Sequence, residues 1–207
     1  MVTVSERPDL SGGDFTNSRR LYHGAIPFVM GKSVFDFGCG LGHGTYFLHP
    51  YTAKITGFDI EPDVVDQAND LFRSPTLNFT SNFDSIKNVD IVVSVEAIEH
   101  LEKEDLVDKI RHFSTIAPSI YCTTPNGNFM PYRPKTKAER RGFHVWHYTE
   151  DELRALFCPF YSCVHIYGVL RDDNPRVNQF VGYSLFATNN ATTPNKFLFD
   201  YKARMER

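Results

Sequence analysis

The order of hydrophobic and polar residues along the chain predicts strands that alternate with helices. Continuous apolar runs separated by helical spacing are typical of a parallel sheet that is buried on both faces. Helices are predicted over residues 17–30 (ended or bent near Pro27), 44–51, 61–72 and 103–117. The apolar runs predicted as strands are SVFDFG, ITGFDI, LNFT, VDIVVSV and SIYCTT, beginning at residues 33, 55, 77, 89 and 119.

The pattern changes after Pro125. Residues 126–148 have no clear periodicity and are predicted as a long loop, followed by a capped helix over 149–157. Two alternating strands, at 161–170 and 179–188, can then pair as an antiparallel hairpin. The predicted fold is α/β, a Rossmann-like three-layer sandwich with a seven-stranded mixed sheet, six strands parallel and the last antiparallel. Its domain is expected over 16–190, between a flexible lead-in (1–15) and a C-terminal tail (191–207).

Bulk composition narrows the class of protein. The 207 residues suit one domain, and the net charge of −3 gives no overall attraction to nucleic acid or an anionic membrane. The four cysteines form no CxxC pair, the first residues are polar, and no apolar run reaches the ~18 residues of a membrane span. We therefore expect a cytoplasmic protein without a membrane partner.

A glycine-rich turn follows the first predicted strand. Gly38, Gly40, Gly42 and Gly44 alternate with other residues, and glycines allow a sharp turn and a close approach of backbone to ligand. Asp59 ends the second strand, 21 residues after Gly38, where a carboxylate can accept hydrogen bonds from both ribose hydroxyls. The pair predicts adenosine recognition; the alternatives are a packing turn and a helix N-cap.

The adenosine can belong to a dinucleotide or to S-adenosylmethionine. A dinucleotide fingerprint needs glycine at its sixth position, but counting from Gly38 or from Gly40 gives His43 or Thr45. The turn also contains no lysine or arginine to pair with a pyrophosphate. These features favour a ligand without phosphate.

At this point the sequence resembles a known family. VFDFGCGLGHGT is similar to the first motif, hhDhGCGxGxG, of class I S-adenosylmethionine-dependent methyltransferases. The likeness extends to the upstream helix, VDIVVSVEAIEHLE, SIYCTTPNG and HVWHYTEDELRALF, in the family's order. The resemblance covers about residues 17–170 and implies a methyltransferase that uses S-adenosyl-L-methionine as its cofactor.

The resemblance also implies roles for individual residues in the methyl-donor site. The glycine turn would hold the methionine portion, Asp59 the ribose and Ile60 the adenine, while Ser94, placed just past the fourth strand, would contact the methionine amine. Tyr22 is a lid contact or, equally, a buried core tyrosine. The full implied donor set is Tyr22, Asp36, Gly38, Cys39, Gly40, Gly42, Asp59, Ile60, Asn82, Phe83 and Ser94.

The acceptor side is predicted at Glu96-x-x-Glu99-His100, joined later by His144 and His147. A helical turn would put Glu96, Glu99 and His100 on one face. His100 is the candidate base, with Glu96 and His144 as further catalytic candidates. The segment is also similar to the ExxEH motif of Hen-type small-RNA 2′-O-methyltransferases, which implies metal ligation by Glu96, Glu99, His100 and His144. A metal-free role, as in small-molecule relatives, is the preferred interpretation.

The predicted function is methyl transfer to an oxygen of a small-molecule acceptor, with nitrogen as the alternative. A loop at 132–141 carries five basic residues and suggests an anionic acceptor, although a solvated loop explains it as well. A divalent-metal-dependent RNA 2′-O-methyltransferase is the second hypothesis. A nucleotide-binding oxidoreductase and a non-catalytic cofactor-binding protein are the remaining alternatives.

Overall fold

The computed structural model describes residues 13–140, 143–171 and 180–190. The chain forms two compact units, residues 1–95 and 96–207. The C-terminal tail predicted over 191–207 lies outside the described residues. So does the lead-in predicted over 1–15, apart from its last three residues, which are helical.

The described residues of the first unit form four parallel strands. Parallel register places Asp36 opposite Gly57 on one side and opposite Val93 on the other. Pro62 occupies the first turn of its helix, where a missing N–H costs nothing because those amides have no helical partner. The elements are α1 Gly13–Val29, β1 Ser33–Phe37, α2 His43–Leu48, β2 Lys54–Phe58, α3 Pro62–Leu71, β3 Leu77–Thr80 and β4 Ile91–Val95.

The described residues of the second unit form two α-helices and three strands. The second helix starts with the predicted cap: Glu152 N donates to Thr149 Oγ1, and Thr149 N donates to Glu152 Oε2. The last strand runs antiparallel to both of its neighbours, so the predicted hairpin pairing is confirmed. The elements are α4 Lys103–Ile116, β5 Ser119–Pro125, α5 Glu150–Phe157, β6 Cys163–Arg171 and β7 Phe180–Thr188.

The strands follow the order β3-β2-β1-β4-β5-β7-β6 in a seven-stranded mixed sheet. The predicted α/β Rossmann-like class, with its last strand antiparallel, is confirmed. Every residue of β4 and β5 is buried, which explains why these strands have uninterrupted apolar or small polar sequences. Within the described part of the chain, no helix has the length and apolar character needed to span a membrane.

Candidate functional site

The turn after β1 follows a left-handed path at three glycines. Gly38, Gly40 and Gly42 have φ angles of 77°, 53° and 81°, a region that glycine enters without steric strain. A Cβ at Gly42 would lie 2.5 Å from the Phe79 ring, whereas a Cβ at Gly40 would meet nothing within 4 Å. Gly42 is therefore also required for packing, while Gly40 borders open space from which a ligand can approach the backbone.

One carboxylate joins this turn to the end of β2. Asp59 Oδ2 accepts a hydrogen bond from Gly40 N at 3.0 Å, and Oδ1 accepts one from Glu61 N at 3.1 Å. A carboxylate has about four acceptor positions, so one side chain can bind both backbone amides and ribose hydroxyls. The next residue, Ile60, is 77% exposed and presents a large apolar side chain beside Asp59.

Asp36 is fully buried in β1 and is held by two hydroxyl groups. Thr45 Oγ1 donates to Asp36 Oδ2 at 2.6 Å, and the Tyr22 hydroxyl donates to the same oxygen at 3.1 Å. Burial raises the pKa of Asp36 to about 7, against the opposing effect of the two hydroxyl donors. Tyr22 is itself buried, as in the core interpretation of that residue.

The residues expected near the adenine follow β3. Phe83 packs edge-on against the stacked rings of Phe37 and Phe58, with centroid distances of 6.1 Å and 5.4 Å. Asn82, immediately before it, is exposed.

The predicted location of Ser94 is wrong in one respect. Ser94 lies within β4 rather than past it, because the strand continues to Val95. Its side chain is fully buried, and its Oγ has no hydrogen-bond partner in the described part of the chain.

Two acidic side chains of the second unit point to hydroxyls of β5. Thr123 donates to Glu96 Oε1 at 2.9 Å, and Thr124 donates to Glu99 Oε2 at 3.1 Å. The expected single helical turn through Glu96 is wrong: Glu96 has a φ of 51°, and the 3-10 turn covers only Ile98–His100. A left-handed backbone at a residue with a side chain is strained and is concentrated at functional sites in proteins.

Both carboxyl groups have perturbed acidity. Burial raises the pKa of Glu96, against the hydrogen bond from Thr123. Burial raises the pKa of Glu99 too, and the neighbouring charge of Glu96 adds to the effect. Two buried carboxylates of like charge are unfavourable unless protons or a cation neutralise them.

Three histidines lie beside these acids. The rings of His100 and His144 meet edge-to-face at 4.8 Å, and His144 Nδ1 lies 2.6 Å from His147 Nε2. Burial and the neighbouring imidazoles lower the pKa of His144 to about 4. Burial also lowers the pKa of His147. These imidazoles are therefore neutral at pH 7, the form in which histidine binds metals.

The geometry fits a divalent cation. Glu99, His100 and His144 each offer one ligand atom, and these atoms all lie within 4.8 Å of one another. Glu99 Oε1 and His100 Nδ1 are buried without a hydrogen-bond partner among the described residues. Buried polar atoms are normally paired, and a carboxylate oxygen together with an imidazole nitrogen is a donor set that Mg²⁺, Mn²⁺ or Zn²⁺ can use.

The basic loop is tied to acids of its own unit. Arg140 forms a two-pronged pair with Glu102 at 2.7 Å and 2.8 Å. Arg133 binds Glu152 at 2.8 Å and stacks over the Trp146 ring at 4.2 Å. Lys137 Nζ also lies 3.8 Å from Glu102. These contacts position the loop, and three of its five basic side chains are paired with acids; Arg141 lies outside the described residues.

Several partners within the site were missed at the sequence level. Thr45 was not predicted to bind Asp36, and Thr123 and Thr124 were not predicted to bind the acidic pair. The available signal was weak: two adjacent threonines at the end of the strand SIYCTT. A buried hydroxyl needs a partner, but the sequence does not say which one.

Comparison with known proteins identifies the class. Residues 34–117 match the family model described as a methyltransferase domain. A stretch of 43 residues is 44% identical to an uncharacterized methyltransferase of Schizosaccharomyces pombe. This stretch is 21% of the present chain and only 15% of that relative's length.

Solved structures show the same fold over most of the chain. The methyltransferase domain of bacterial CtHen1 superposes with a TM-score of 0.63 at 20% identity, covering 83% of this chain and 98% of that one. The N-methyltransferase NodS from Bradyrhizobium japonicum, solved with S-adenosyl-L-homocysteine, gives 0.63 at 14% identity, covering 86% and 88%. At these identities the likeness establishes the fold.

Three findings indicate the same class of protein: the family match, the order of the strands in the sheet, and the glycine turn that binds Asp59. Residues 34–117 match a methyltransferase domain, and the fold is that of class I S-adenosylmethionine-dependent methyltransferases. S-adenosylmethionine is the cofactor that the family resemblance predicted, and the match to a methyltransferase domain supports it.

Proposed function

We propose that the chain transfers the methyl group of S-adenosylmethionine to a hydroxyl oxygen of a small-molecule acceptor, at a site that holds a divalent cation. The metal is supported by a pair of buried ligand atoms, Glu99 Oε1 and His100 Nδ1, which lie beside His144 and have no hydrogen-bond partner among the described residues. This reverses the sequence-based preference for a metal-free role. An unpaired buried polar group costs ~1–3 kcal/mol, and a cation removes that cost for both atoms.

Each residue has a separate task in this proposal. Glu96 and Glu99 supply the negative charge, and the threonine hydroxyls of β5 orient their carboxylates. His100 and His144 each bind through one imidazole nitrogen. A bound divalent cation lowers the pKa of a hydroxyl that it contacts and orients it. Hard cations prefer oxygen, which supports an oxygen acceptor over nitrogen.

In the donor site, the residues of the chain position the cofactor. The glycine turn and Asp59 would hold the cofactor in one orientation, and alignment of two reactants can supply ~7–11 kcal/mol of the barrier. The sulfonium is already an activated electrophile, so the remaining requirement is a nucleophile in line with its methyl group. If no metal binds, His100 is the candidate base.

Metal titration tests the proposal. Mn²⁺ is added to the wild type, to Glu99→Gln and to Glu104→Gln, a matched control because Glu104 is exposed on α4. We expect binding to the wild type and the control and at least a tenfold loss in Glu99→Gln, measured by calorimetry. Absence of Mn²⁺ binding, with methyl transfer insensitive to EDTA, would return the site to the metal-free interpretation.

RNA is the second candidate acceptor, because the four candidate ligands match the Hen-type pattern and the fold matches the CtHen1 domain. The internal pairing of Arg133 and Arg140 supports the small molecule instead. Radiolabelled S-adenosylmethionine distinguishes them. Label in an RNA oligonucleotide, lost when its terminal 2′-hydroxyl is replaced by hydrogen, would favour RNA; label confined to small metabolites supports the proposal.

A further inference from the structure

A chain of hydrogen bonds runs from a backbone carbonyl through His147 to His144. Met130 O lies 2.7 Å from His147 Nδ1, and His147 Nε2 lies 2.6 Å from His144 Nδ1. A carbonyl oxygen only accepts hydrogen bonds, so the proton of this first contact belongs to His147 Nδ1. In a neutral imidazole the other nitrogen then carries a lone pair, which makes His147 Nε2 an acceptor.

The direction of the second bond follows from the first. Because His147 Nε2 accepts, His144 Nδ1 must carry the proton that lies between the two rings. Neutral His144 therefore has no proton on Nε2, and its lone pair is there. Since Nδ1 faces His147, Nε2 is the nitrogen left for the neighbouring Glu99 and His100.

The backbone around His147 holds its ring in place. His147 N donates to Tyr132 O at 3.2 Å, and His147 O accepts from the Arg133 guanidinium. The Tyr132 ring lies 5.2 Å from the imidazole. These contacts fix the orientation of the ring, and with it the nitrogen that His147 turns toward His144.

We propose that His147 is a positioning residue that sets the tautomer of His144, so that His144 Nε2 presents its lone pair to the cation. This inference rests on the metal site of the proposed function. His147 does not itself bind the cation. The Met130 carbonyl accepts from His147, and His147 in turn accepts from His144. In other metal-binding histidines a carbonyl or carboxylate accepts this hydrogen bond directly.

Three substitutions separate the contacts of His147. His147→Gln places an oxygen acceptor near the original Nε2 position, so it can still accept from His144 Nδ1. His147→Asn places an amide nitrogen near the original Nδ1 position, so it keeps only the donor to Met130 O. His147→Phe keeps a ring and removes both contacts.

The first readout is the tautomer of His144 in metal-free protein, from ¹⁵N long-range imidazole spectra. We expect the Nδ1–H form in the wild type and in His147→Gln, and a shift toward Nε2–H in the Asn and Phe variants. An Nε2–H form in the wild type, or an unchanged Nδ1–H form in His147→Phe, would overturn the proposal. Equal affinity for S-adenosylhomocysteine in all variants shows that the fold is retained.

The second readout is Mn²⁺ affinity. Loss of a histidine's supporting hydrogen bond typically weakens metal binding 10–100-fold. We expect that loss in His147→Phe and His147→Asn, with His147→Gln close to the wild type. The two readouts fail separately: a wild type that binds no Mn²⁺ contradicts the proposed function, while the tautomer of the metal-free protein still decides the role of His147.

Discussion

Replacement of Asp36 by Asn should remove a pH dependence from the stability of the first unit. Asp36 is 0% exposed, and its pKa rises from 3.8 to about 7 because burial disfavours the charged form. Asn keeps an oxygen that can accept from Thr45 and Tyr22, but it carries no proton to lose. The difference in stability between the two proteins therefore isolates the ionisation of Asp36.

The sign and the size of the effect on the free energy of unfolding follow from the difference in the pKa of Asp36 between the folded and the unfolded state. Below pH 3.8 the carboxyl is protonated in both the folded and the unfolded state and has no effect. Between pH 3.8 and about 7 only the unfolded state ionises, so the free energy of unfolding falls as pH rises. The loss is complete just above pH 7. A shift of about three units at 1.36 kcal/mol each gives about 4 kcal/mol.

Urea unfolding at half-unit steps from pH 4.5 to 8 measures this difference. We expect the Asp36→Asn protein to gain stability relative to the wild type as pH rises, by several kcal/mol over the range. Asp90→Asn is the control, because hydrogen bonds from Ser33 lower the pKa of Asp90 and confine its effect to lower pH. Parallel pH curves for wild type and Asp36→Asn would show that the buried carboxyl does not titrate here.

Two further predictions concern the donor site. A Cβ at Gly44 would lie 2.0 Å from the Tyr22 ring, so Gly44→Ala should cost ~1–3 kcal/mol of stability. Tyr22→Ala in the same chain should relieve part of that cost, and thermal melts of both variants measure the difference. Asp59→Ala should weaken S-adenosylhomocysteine binding ~10-fold or more, through lost charge-assisted hydrogen bonds and a loosened Gly40 amide. Unchanged affinity in calorimetry, with exposed Asp63→Asn as the comparison, would remove the ribose role.

The order of elements was predictable because it depends on local patterns. Uninterrupted apolar runs such as that of β4 specify strands buried on both faces, and the Thr149–Glu152 pair specifies a helix start. The glycine turn was predictable for the same reason, since left-handed φ angles favour glycine regardless of what surrounds it. The candidate role of Asp59 was inferred from its position at the end of β2.

The contacts between distant side chains were not predictable in this way. The sequence offered Glu96, Glu99, His100, His144 and His147 as one group, but a spacing alone permits either a metal site or a metal-free pocket. Whether an atom is buried, and whether it finds a hydrogen-bond partner, depends on segments that are far apart along the chain. The basic loop is a similar case, because its attraction for an anion depends on whether acidic residues of the same unit already pair with its basic side chains.

The fold class and the glycine turn could be predicted from the sequence because they depend on short-range backbone preferences and residue spacing, and the family resemblance predicted the methyl donor. Only the folded chain shows that Glu99 Oε1 and His100 Nδ1 have no hydrogen-bond partner among the described residues. It also shows that Glu96 has a strained backbone and that His147 connects His144 to the Met130 carbonyl. Hydrogen bonds and desolvation act through space, over a few ångströms, and the distances that govern them exist only after the chain has folded.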